Sequence, residues 1–67
     1  MKKISVVIAN YNGERYLENC LHSVYTQKYP QKLLEIIVVD NGSQDNSIKL
    51  LRTKFPRVKV VKNDYNN

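Results

Sequence analysis

Two stretches of the chain, Ile4–Ala9 (ISVVIA) and Leu34–Asp40 (LEIIVVD), are nearly unbroken runs of apolar, mostly β-branched residues. Such runs read as strands buried on both faces, because a strand with one wet face alternates apolar and polar side chains. Strands of this kind belong to parallel sheets, and parallel neighbours need a crossover between them, usually a helix. The intervening sequence supplies one. Leu17, Leu21 and Val24, with Cys20 alongside, fall at helical spacing and predict a helix from about Gly13 to Gln27. The turn cluster NYNGE precedes it, with Asn12 the expected N-cap, and KYPQK ends it, since the residue before Pro30 disfavours helix. Ile48, Leu51 and Phe55 predict a second helix that stops at Pro56, with Ser43 or Asp45 of NGSQD placed to cap it. Val58–Lys62 (VKVVK) alternates in part and reads as a half-exposed strand.

The resulting order is β-α-β-α-β with short connections. Right-handed crossovers turn that order into a three-stranded parallel sheet of order 3-2-1, a Rossmann-like half of a doubly wound α/β fold. Strand composition agrees, because the lysines of the third strand suit an edge. The first strand would also be an edge, yet it carries no charge or proline to protect it. It calls for a neighbour this sequence does not supply, so residues 1–67 are expected to be the front piece of a longer domain.

Size points the same way. A chain of 67 residues seldom builds a core worth more than about 3–5 kcal/mol without staples. Cys20 is the only cysteine, so no internal disulfide forms, and no Cys/His cluster has zinc spacing. The lone thiol fits a reducing compartment and a small buried side chain. No apolar run approaches the ~18 residues of a membrane span, and the start MKKISVVIAN lacks the length of a signal peptide's apolar region. A cytoplasmic location is expected, with peripheral membrane association left open. The net charge of +5 lies entirely in the last twenty residues, where six basic side chains face a single acid. That excess reads as a solvated helix face and edge strand, or else as an attraction for phosphates, nucleic acid or an anionic membrane.

Ligands of open parallel sheets bind at the carboxyl ends of the strands. Asp40 ends the second strand, and Asn10, Tyr11 and Asn12 follow the first, so all four belong to one rim. A carboxylate there accepts hydrogen bonds from ligand N–H or O–H groups, and Tyr11 offers a face for a planar base. Equally, Asp40 and Ser43 serve the DNGS turn and the helix after it. Glycine-rich phosphate loops of the G-x-G-x-x-G or G-x-x-x-x-G-K-[ST] type are absent, as is a G-x-S-x-G elbow. His22, the only histidine, falls mid-helix and reads as a surface residue.

SVVIANYNGERYLENCLHSVYTQ followed by EIIVVDNGSQDNS resembles the opening of a family-2 glycosyltransferase with the GT-A fold. Its pattern is an SVVI strand, a Y-N turn, a helix with L-x-x-x-L-x-S-[VI]-x-x-Q, and a strand ending V-D-[DN]-[GA]-S-x-D. The tail VKVVKNDYNN also resembles the family's N-x-x-N stretch. The resemblance covers essentially the whole chain.

It implies a nucleotide-recognition segment. Asp40 would recognise the base of a nucleotide-sugar donor through a ring N–H, Tyr11 would pack on that base, and Ala9 and Asn10 would line the floor through their backbone. Asn41 stands where many members have a second aspartate, a variant similar to rhamnosyltransferase-like members, which leaves the sugar open. Asp45 would cap the second helix. The resemblance also implies a UDP-, dTDP- or GDP-sugar as partner, a hydroxyl acceptor in cell-surface polysaccharide or glycoconjugate synthesis, and the remainder of the glycosyltransferase domain. A divalent cation, Mn²⁺ or Mg²⁺, would serve the full-length enzyme through a D-x-D motif. That motif does not occur here, and Asp40, Asp45 and Asp64 are too far apart to imitate it. No residue of this chain is therefore expected to be catalytic or metal-binding, and the chain alone is expected to be inactive. Two other classes compete: a non-catalytic nucleotide-binding module, and a basic nucleic-acid-binding domain. The second rests on the C-terminal lysines alone, without an RNA-reading aromatic motif, so no nucleic-acid partner is expected.

Overall fold

The computed structural model describes residues 2–63. Strand β1 (Ile4–Asn10) leads into helix α1 (Glu14–Tyr25), and a short 3₁₀ turn (Gln31–Leu33) precedes β2 (Leu34–Asp40). Helix α2 (Ser47–Lys54) and strand β3 (Lys59–Lys62) follow. All pairing is parallel in the order β1-β2-β3, the 3-2-1 arrangement expected. Ile4 sits opposite Leu34 and Asn10 opposite Asp40, while Ile37 to Asp40 meet Lys59 to Lys62. The N-x-x-N stretch falls on residues 63–66, and all of it beyond Asn63 lies outside the described residues.

Both helices pack on one face of the sheet. Leu17 and Leu21 of α1 and Leu51 of α2 form a buried cluster with Ile36, Val38 and Val58, flanked by Val6, Ile8 and Val60. These strand positions share one parity, so they share one face. Tyr25 and Phe55 stack with ring centroids 6.1 Å apart and close the cluster between the helix ends. Lys54 reaches Glu18 at 3.2 Å across the helix pair, an exposed bridge worth about 0–1 kcal/mol.

The opposite face is open. Val7 is 64% exposed and Ile37 and Val39 are only half-buried, so the two strands expected to be buried on both faces are covered on one. The cause is topological: when successive strands step in one direction with crossovers of one hand, the helices all land on the same side. Cys20 also departs from expectation. It is exposed rather than buried, because it lies beside the core stripe of α1 and faces the unpaired flank of β1, where it lines a hollow with Ile8, Ala9, Tyr16 and Leu17.

Candidate functional site

The strand tips Asn10 and Asp40 are the polar end of an otherwise apolar inner face. Both are buried, Asp40 to 1% exposure and Asn10 to 6%. A buried carboxylate survives only with hydrogen bonds to take the place of water, and Asp40 has them. Its Oδ1 accepts from Asn10 Nδ2 at 2.8 Å and from the Ser43 hydroxyl at 2.6 Å, and its Oδ2 accepts from the Ser43 amide at 2.9 Å. Burial alone would raise its pKa. The bonds from Ser43, Asn10 and the Gly42 amide outweigh burial and hold the carboxyl below the ordinary 3.8. Gly42 makes the turn at φ 86°, a backbone that favours glycine.

The second loop is fastened to the first bond by bond. The Asn41 amide continues the ladder to the Asn10 carbonyl at 2.9 Å. The Asn12 amide donates to Ser43 Oγ at 2.8 Å, and the Gln44 amide donates to Asn12 Oδ1 at 2.8 Å. One turn further, the Glu14 amide donates to Asp45 Oδ2 at 3.1 Å, while the Asn46 amide donates back to Glu14 Oε1 at 3.1 Å. Asp45 Oδ1 also accepts from the amide of Ser47 at 3.0 Å and from its hydroxyl. The N-cap of α2 is Asn46, without a side-chain cap bond, rather than Asp45 as the resemblance implied; Asp45 bonds the first helical residue from just outside the cap and also secures the start of α1. Its burial would raise the pKa, but the bonds from Ser47 and Glu14 lower it overall.

Two further expected roles change. Asn12 is not the N-cap of α1; Gly13 takes that position without a side-chain bond, and Asn12 adopts φ 52° and serves the neighbouring loop instead. Ser43 does not cap α2, because its hydroxyl is consumed by Asp40 and Asn12. Gly13 is required for close approach: a Cβ there would collide with Asn10 Oδ1.

Of the residues the resemblance singles out, Asn10 and Asp40 lie inside the turn and Tyr11, Ala9 and Asn41 line its outer rim. Tyr11 is 49% exposed, and Ala9 is exposed on the open sheet face. Asn41 is half-buried, and its Oδ1 accepts from Asn63 Nδ2 at 2.7 Å. The two readings of Asp40 are therefore unequal in what is visible: its acceptor positions face the turn, and the outward-facing groups are Tyr11 and Asn41. Asn63 and Glu14 were missed as rim residues and carried no sequence signal for that role; the bonds of Ser43 to Asp40 are those of the DNGS turn. Among the described residues, no group of three or more His, Cys, Asp or Glu side chains is placed to hold a metal ion, and both aspartates of the site are committed to backbone amides. The residues present do not fit a cation site.

Several known proteins are similar to this chain. Glycosyltransferase AglE of Haloferax volcanii is 36% identical over 64 residues, which span 91% of this chain and 21% of that protein. Staphylococcus aureus TarS (residues 1–349), solved in complex with UDP, superposes with a TM-score of 0.86 at 31% identity, covering 98% of this chain and 20% of that one. The mannosyltransferase PcManGT of Pyrobaculum calidifontis, solved with GDP-Man and Mn²⁺, gives a TM-score of 0.75 at 27% identity over 94% of this chain and 19% of that one. This chain thus spans about a fifth of the length of each. Residues 5–67 match the family model for glycosyl transferase family 2, and the chain belongs to that family.

Proposed function

We propose that this chain is the nucleotide-recognition part of a glycosyltransferase that moves a sugar from a nucleoside-diphosphate donor to a hydroxyl acceptor. Ala9, Asn10, Tyr11, Asp40 and Asn41 form the nucleotide rim. The observation that supports this most is the rim itself: an exposed aromatic, Tyr11, stands beside polar groups held rigid at the carboxyl ends of two parallel strands. Tyr11 stacks on the base, and Asn41 meets its polar edge. Asp40 reads a ring N–H directly, or sets the rim from below. The donor is a UDP-, dTDP- or GDP-sugar, and cell-surface polysaccharide or glycoconjugate synthesis is the setting suggested by similarity to TarS, a poly(ribitol-phosphate) beta-N-acetylglucosaminyltransferase. The base that activates the acceptor and the cation that meets the diphosphate come from outside this chain. The protein works in the cytoplasm, with peripheral association at a membrane surface.

Calorimetric titration of UDP, dTDP and GDP into the full-length protein tests the reading. Tyr11→Ala should weaken the best-bound nucleotide by about 1–3 kcal/mol, the value of one base–aromatic stack. Unchanged affinity in a folded variant rejects the assignment.

A further inference from the structure

Asn12 is the one non-glycine residue among the described residues with a left-handed backbone, at φ 52°. Asparagine tolerates that region better than most residues, yet a non-glycine residue there still needs its surroundings to hold it. What holds it is the other loop: the Asn12 amide is bound by Ser43 Oγ, and its side-chain oxygen by the Gln44 amide, each at 2.8 Å. On the other side of Tyr11, Asn10 is bound through its side chain to Asp40 and Ser43 and through its carbonyl to the Asn41 amide. Tyr11 is thus an exposed residue between two neighbours that are each fastened to residues 40–44. The backbone that carries its side chain is set by bonds that the ring does not make.

We propose that Asn12 and Ser43 are positioning residues for Tyr11, holding its ring ready to stack on the donor's base without touching the ligand. A pre-set aromatic loses less freedom on binding than a mobile one. This rests on the nucleotide reading above and adds to it a pair of residues that act through Tyr11 rather than on the ligand.

A double-mutant cycle in the full-length protein tests it, with UDP, dTDP and GDP as calorimetric probes and the tightest binder carried through. Asn12→Gly keeps the left-handed backbone but removes the acceptor for Gln44; it should weaken nucleotide binding about three- to tenfold. Asn12→Asp keeps both the acceptor and tolerance of that backbone, and should restore most of the affinity. In a Tyr11→Ala background, Asn12→Gly should have no further effect. An equal loss in both backgrounds overturns the positioning role, and so does unchanged affinity with a lowered Tm, which marks a purely structural bond. If Tyr11→Ala itself binds as wild type, the nucleotide reading fails and this inference with it. If Tyr11→Ala weakens binding but the cycle is additive, only the positioning role fails.

Discussion

The two faces of the sheet are built from similar residues and end in different states. Val38 has no exposed surface, while its neighbour Val39, pointing to the other side, is half-buried; Val6 is half-buried and Val7 is 64% exposed. Side-chain chemistry does not separate these pairs. Coverage does, and coverage is decided by the direction in which the crossovers place the helices. An apolar run states that a strand can be buried on both faces, and the topology states which face its own chain can reach.

The comparison breaks first at the covered face. Leu51 is fully buried against the sheet, so Leu51→Ala should cost about 2–5 kcal/mol. That rivals the whole stability of about 3–5 kcal/mol available to a chain of this size. Urea denaturation followed by circular dichroism should therefore find the variant of the 67-residue chain largely unfolded without denaturant. A variant that keeps a wild-type midpoint would mean α2 is not part of the core.

At the rim, where the covered face turns polar, a smaller effect is expected. Asp40→Asn puts an NH₂ group where one carboxylate oxygen now accepts, leaving a buried donor without a partner, at about 1–3 kcal/mol. The variant separates the two roles of Asp40: lowered stability with unchanged nucleotide affinity makes it the anchor of the turn, and a loss of both makes it a reader of the base. Acid sharpens the result. Both Asp40 and Asp45 are held below the usual 3.8, so their contribution is complete above that value and is lost as pH falls through the lowered folded values. The acid limb of a stability–pH curve should be shallower in Asp40→Asn than in wild type.

The smallest effect belongs to the open face. Val7→Thr in the 67-residue chain should change stability by less than about 0.5 kcal/mol. A loss of 2 kcal/mol or more would mean that something covers this face, and sedimentation at two protein concentrations would identify self-association as the cause.

The elements were legible because their signals are local. The β2 limits match the apolar run, α1 is two residues shorter than predicted at its C-terminal end, and the prolines mark the breaks on schedule. The 3₁₀ turn at Gln31–Leu33 was not anticipated, since three residues carry no periodicity. At the site, sequence placed Asp40 and Tyr11 at the strand tips, where they lie, but misassigned the cap roles of Asn12, Ser43 and Asp45. Asn12 and the 43–44 segment bond each other across about thirty residues, and a residue suited to a cap is suited equally to any nearby amide. Cys20 was misjudged for a related reason: helical spacing marks a stripe, but the flank of α1 beside β1 is covered only if the sheet extends there.

The register of the sheet bears on the order in which the chain assembles. Every β1 residue pairs with a partner thirty residues on, whereas β2 and β3 meet across about twenty-two. Loop closure favours the shorter span by only about 0.3 kcal/mol. The longer span has the larger return, because β1 and β2 pair along their full lengths while β3 meets only Ile37 to Asp40. The first β-α-β unit is therefore the natural nucleus, and β3 adds to a template already formed. During synthesis that nucleus closes only once Asp40 has emerged, and the bonds that join the two loops form as Ser43, Gln44 and Asp45 follow it.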